Sequence, residues 1–121
     1  MANTPSSRKA KGRKLQQKIR DSILEHFPHL HPDDVVSTQM GGAGADIQLS
    51  PHARKVFPYS VECKCQEKMN IWSSLEQAEK NTKPETYPIL FFKRNRSKTY
   101  VTLTADHFFE LMQRLSAIDK T

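Results

Sequence analysis

Residues 59–66 read Tyr-Ser-Val-Glu-Cys-Lys-Cys-Gln, and this stretch decides the fold. In an extended chain, Val61, Cys63 and Cys65 fall on one face, and Ser60, Glu62, Lys64 and Gln66 on the other. One apolar face means a strand laid on a core. The other face carries an acid and a base two residues apart, Glu62 and Lys64.

Outward from this strand, the neighbouring segments alternate in type. Upstream, Ser50 to Pro58 reads as a turn-rich connection, preceded by a short strand, Asp46-Ile47-Gln48-Leu49. Gly41-Gly42-Ala43-Gly44 breaks the chain before it, with glycines that permit unusual backbone angles. Val35 to Gln39 is β-branched and reads as a first strand, reached through a loop from His29 to Asp34. Leu15, Ile19, Ile23 and Phe27 recur every four residues from Gly12 onward and predict an amphipathic helix that Pro28 ends. Residues 1–11 lack such a period and are expected to be a flexible basic tail, with residues 12–121 as a single domain.

Downstream, Ile71 to Asn81 reads as a second helix. Pro88-Ile89-Leu90-Phe91-Phe92 is apolar throughout and reads as a strand covered on both faces. Lys93 to Lys98 is a basic turn, and Tyr100 to Leu103 returns as a strand. Thr104 caps a last helix, Ala105 to Leu115, with Phe108, Leu111, Met112 and Leu115 expected inward and His52 and His107 at the surface. The expected fold class is α/β, a mixed central β-sheet flanked by helices.

Composition narrows the chemistry. The chain has 121 residues and two cysteines, Cys63 and Cys65, on one face of one strand, where they cannot easily bridge. No run approaches the roughly 18 apolar residues of a membrane span, and the opening residues hold no apolar signal segment. A cytoplasmic location is expected, or the cytoplasm of a host cell were the protein phage-encoded. The formal charge is +6, while residues 1–20 alone carry +7 from Arg8, Lys9, Lys11, Arg13, Lys14, Lys18 and Arg20. A cationic arm on a near-neutral body suits a polyanion, most often nucleic acid. Lys93, Arg94, Arg96 and Lys98 in the basic turn, and Arg54 and Lys55 in the connection, are further candidates for phosphate contacts, which position a protein without reading bases. His26, His29 and His31 match no standard zinc spacing. Trp72, Leu75 and Phe57 are either core or a dimer surface.

Glu62 and Lys64 share one strand face, and Asp46 opens the neighbouring strand. Two carboxylates brought together from adjacent strands make a site for a hard divalent cation. Such a cation activates water and offsets the charge growing on a phosphodiester, and a lysine beside it can orient the water or stabilise the transition state. Gln66 continues the same face. A Glu-x-Lys alone is also the pattern of a solvated strand, so the weight rests on the neighbouring Gly-Ala-Asp turn, the following helix and the cationic arm. Pro32-Asp33-Asp34 lies in the loop before the first strand and reads as a locally capped turn.

Gly44-Ala45-Asp46-Ile47 and Val61-Glu62-Cys63-Lys64, in helix-strand-strand-strand-helix-strand order, resemble the PD-(D/E)xK nuclease superfamily, and within it the small Holliday junction resolvases of archaea and phages. The resemblance spans about residues 12–103. It implies a restriction-endonuclease-like αβββαβ core and a metal-dependent endodeoxyribonuclease of DNA recombination. It implies Mg²⁺, with Mn²⁺ able to substitute, held by Asp46, Glu62 and the backbone carbonyl of Cys63. Lys64 would handle the attacking water, with Gln66 and Gln16 in support. It further implies a homodimer acting on four-way DNA junctions, whose two-fold symmetry a dimer matches. The resembling resolvases carry a glutamate on the first helix where this chain has Gln16. The alternatives are a nicking, flap-cutting or restriction-type nuclease, or a non-catalytic nucleic-acid-binding module of the same fold.

Overall fold

The strand Tyr59–Cys65 (β3) lies at the centre of a five-stranded mixed sheet in a computed structural model that describes residues 4–39 and 44–119. The sheet order follows the chain: Val35–Ser37 (β1), Ile47–Leu49 (β2), β3, Tyr87–Lys93 (β4) and Tyr100–Thr102 (β5). β2 runs antiparallel to β3, with Ile47 opposite Val61. β4 runs parallel to β3 over its whole length, with Glu62 opposite Leu90 and Lys64 opposite Phe92. The parallel pair needs a crossover, supplied by the helix Ile71–Lys80 (α3). The fold is α/β, a mixed sheet with helices on its faces.

Side-chain alternation along β3 sorts the two layers. Val61 and Cys63 join the core with Val35, Ile47, Leu49 and Ile89, against Leu15, Ile19 and Ile23 of the first helix, Pro5–His26 (α1). Fully burying one such aliphatic side chain is worth about 1.5–3 kcal/mol, so this layer anchors the molecule. Ser60 and Glu62 point to the other layer, where Ala78 of α3 and Leu90 of β4 are buried.

Four expectations are corrected. α1 begins at Pro5 rather than Gly12, so residues 5–11 of the expected tail are helical. Thr4 accepts the Ser7 N–H at 3.1 Å and Pro5 occupies the first turn, a start signal independent of any apolar period. The connection after β2 contains a short helix, Pro51–Val56 (α2), capped by the Ser50 hydroxyl on the Ala53 N–H. The last helix, Ala105–Asp119 (α4), has an exposed apolar side: Phe108, Phe109, Met112, Leu115 and Ile118 are all exposed. His107, expected at the surface, is buried instead. It docks α4 on the sheet. Its Nε2 lies 2.7 Å from the Tyr59 hydroxyl and its Nδ1 3.0 Å from Glu110, while its ring stacks on Tyr87 at 3.7 Å.

Asp34 behaves as a turn cap. It accepts the His31 N–H and the Ser50 hydroxyl, and the Ser50 bond, followed by the His31 bond, holds its carboxyl below the ordinary range. Among the described residues, no helix is long and apolar enough to cross a membrane.

Candidate active site

Asp46 is locked by its backbone before its side chain does anything. Its N–H donates to Val61 O at 2.9 Å and its carbonyl accepts the Thr38 N–H at 2.8 Å, so it bridges the strands on either side. The residues just ahead of it make a tight approach. Gly44 sits at φ +87°, a left-handed angle suited to glycine, and a Cβ there would come within 3.3 Å of Gln48 Nε2. Gly41, Gly42 and Ala43 lie outside the described residues. Gln48 braces this turn, donating to Ala45 O and Thr38 Oγ1 and accepting Lys83 Nζ at 3.0 Å.

The Asp46 carboxylate then reaches across to β3. Its Oδ2 accepts the Cys63 N–H at 2.7 Å, a charge-assisted bond that fixes the carboxylate beside the segment bearing Glu62 and Lys64. Glu62 is only 2% exposed, and its Oε1 accepts from Asn81 Nδ2 at 2.8 Å. Asn81 is the C-cap of α3, so the helix end delivers the amide to the strand. The Asp46 carboxyl lies near enough to Glu62 to act on its electrostatics.

This proximity has an electrostatic signature. Glu62 is pushed up to about 7, first by burial and further by the charge and hydrogen bond of Asp46. The Asn81 amide and the Lys64 ammonium pull the other way. Burial, with a second carboxyl nearby, disfavours the charged form of Glu62. The Cys63 thiol is pushed up, chiefly by burial and then by both carboxylates, and stays a neutral core group.

Lys64 follows Glu62 on the same strand face, half-buried. Gln66 lies beyond the end of β3, exposed, with its N–H on Lys93 O. Gln16 is buried on α1, and its Oε1 accepts the Ser37 hydroxyl at 3.0 Å, on the opposite side of the sheet from Glu62. Arg54 donates to Leu49 O at 2.6 Å and so braces the end of β2, with Lys55 exposed beside it. The structure thus brings together Asp46, Glu62, Lys64 and the Cys63 backbone, and sets Gln66 and Gln16 apart from that group.

Asn81 was not singled out in the sequence. The available signal was a helix-ending Asn-Thr-Lys-Pro in line with an acidic strand face, but C-cap asparagines are common and the crossover geometry is needed to aim one. Gln48 and Lys83 were missed for the same reason.

The donor set fits a small hard cation. Among the described residues, no cluster of three His, Cys, Asp or Glu side chains could hold a metal ion. Two carboxylates suffice for Mg²⁺, which takes one or two protein carboxylates and fills its remaining positions with water and substrate phosphate. No protein-family model, curated protein or solved structure matches this chain.

Proposed function

We propose that the protein is a Mg²⁺-dependent endodeoxyribonuclease, with Asp46 and Glu62 as metal ligands and Lys64 beside the scissile phosphate. The observation that carries this reading is the meeting of two carboxylates from adjacent strands, one of them buried, with a lysine next on the same face. A bound Mg²⁺ would lower the pKa of a coordinated water and offset charge on the phosphodiester. Asp46, held by the Cys63 N–H, presents its second oxygen to the site. Glu62 would be held toward the cation by the Asn81 amide. Lys64 orients the attacking water or neutralises the pentavalent transition state. In-line attack would leave a 5′-phosphate and a 3′-hydroxyl, and the resemblance adds the Cys63 carbonyl as a further ligand.

A restriction-endonuclease-like core and the resemblance to junction resolvases favour branched DNA, with four-way junctions first. The exposed apolar residues of α4, together with Trp72 at 74% exposure, support a homodimer. The cytoplasm is the matching compartment. The competing reading, a non-catalytic binding module, draws on Gln16, which brings no charge and is spent on Ser37.

The test is a cleavage panel in Mg²⁺ with a labelled four-way junction, a nicked duplex and a plain duplex. The expected result is junction cleavage by the wild type and a loss of at least about 100-fold in Glu62→Gln and Lys64→Ala. Binding of all three without cutting any selects the module instead. Faster cutting of the nicked or plain duplex moves the substrate to the nicking or restriction type.

A further inference from the structure

Two basic segments about 80 residues apart in sequence meet in space. On α1, Arg8, Lys11, Lys14 and Lys18 follow spacings of three, three and four, an arc of about 120° on the helix surface. This arc borders the buried stripe of Leu15, Ile19 and Ile23, so it runs along the line where the helix meets the sheet. The β4–β5 turn faces it. Lys11, Lys14 and Lys18 line one groove with Lys93 and Arg96. Arg8 and Lys11 line an adjoining trough with Lys68 and Asn95, and Cys65 and Lys11 belong to both.

The turn is fixed rather than loose. Ser97 Oγ accepts the Arg94 N–H at 3.0 Å, and Glu67 accepts the Asn95 N–H at 2.6 Å. Arg96 sits at φ 62°, a strained angle for a side-chain-bearing residue that these bonds sustain. Glu67 is the carboxylate in the trough, and its bond to the Asn95 N–H ties it to the turn. Among the described residues, no carboxylate lies within ion-pair distance of Lys11, Lys14, Lys18, Lys93 or Arg96. Concentrated cations without carboxylate partners, set along a channel with fixed walls, suit a chain of phosphates.

The groove lies on the α1 side of the sheet, whereas Glu62 and Lys64 face α3. Cys65 is nonetheless only three residues past Glu62, about 10 Å along an extended strand. We infer that the groove between α1 and the β4–β5 turn holds the phosphodiester backbone of a DNA strand, on the opposite face of the sheet from the carboxylate pair, as a binding site separable from cleavage. Only the link to cleavage rests on the nuclease reading; the binding itself does not.

Binding is measured without metal, in EDTA, by fluorescence anisotropy of a labelled 20-nucleotide DNA strand and its duplex across about 50–200 mM salt. Lys14→Glu combined with Arg96→Glu weakens binding at least about 10-fold and reduces the slope of log affinity on log salt by about 1–2. Lys80→Glu, on the exposed side of α3, leaves affinity unchanged. Thermal unfolding of each variant checks the fold, and both groove residues are exposed, so their reversal leaves the core intact. Equal loss from Lys80→Glu, or an unchanged salt slope, overturns the groove in favour of diffuse net charge. Full competition by tripolyphosphate at equal phosphate concentration also overturns it, because a small-anion site would then explain the cations. Intact groove binding in a protein that cuts nothing in Mg²⁺ removes the nuclease reading and leaves the groove. Undiminished cleavage and binding in the groove variants do the reverse.

Discussion

Glu62 concentrates the physics of the site at the residue scale. Its folded pKa of about 7 lies above the ordinary 4.5, so the native state binds more protons than the unfolded chain between those values. Stability from this group is therefore full below about 4.5 and is lost as pH rises through about 7. Glu62→Gln removes that loss: the amide can still accept from Asn81, and its NH₂ can donate to Asp46. In metal-free protein at pH 8, this variant unfolds with about 1–3 kcal/mol more stability than the wild type by urea titration, even though it is inactive. Equal or lower stability would mean that the two carboxylates do not repel. Asn81 gives a second residue-scale prediction with the opposite emphasis. Its hydrogen bond lowers the pKa of Glu62. Asn81→Ala should therefore move the acidic limb of the cleavage pH profile to higher pH, with activity recovering at alkaline pH. A uniform loss at every pH would assign Asn81 to folding alone.

The elements show which parts of the sequence could be read and which could not. β3 was legible because period-two alternation separates Val61 and Cys63 from Glu62 and Lys64, and burial on both faces follows from the helices on either side. The helix α3 and strand β4 were equally plain, one from its apolar period and the other from its apolar run. Asp46 and Glu62 could be paired in advance because the antiparallel β2–β3 register places Ile47 against Val61. Three features were not legible from the hydrophobic period. The start of α1 rests on capping and helix propensity, which an apolar period does not record. The α4 period marks an apolar side but not whether another layer exists to cover it. His107 became a docking group because Tyr59, Tyr87 and Glu110, distant in sequence, converge on it. His107→Ala removes both hydrogen bonds and the stack, and is expected to destabilise the protein by about 1–3 kcal/mol. Amide hydrogen exchange should then rise first along α4, while α1 and β3 keep their protection. Loss of protection across the whole sheet at once would show that α4 is integral to the core.

Across the whole molecule, charge and apolarity are segregated. The basic arc of α1 and the β4–β5 turn gather at one side of the sheet, and the carboxylate pair lies on the other, with Glu62 buried. α4 and Trp72 add exposed apolar residues. Such an arrangement allows a nucleic acid to be held by one surface, cut at a second and met by another subunit at a third. Sedimentation equilibrium should then give a dimer for the wild type and a monomer for Leu115→Asp. A wild-type monomer at high micromolar concentration would detach α4 from dimerisation.

The central claim is that Asp46 and Glu62 share one divalent cation. Electron paramagnetic resonance of Mn²⁺ titrated into the full chain tests this without any substrate. At least one Mn²⁺ is expected to bind per chain, displaced by Mg²⁺ and lost in both Asp46→Asn and Glu62→Gln, whereas Lys14→Glu binds as the wild type does. Mn²⁺ binding that survives in both carboxylate variants, or no binding in the wild type at millimolar metal, would contradict it.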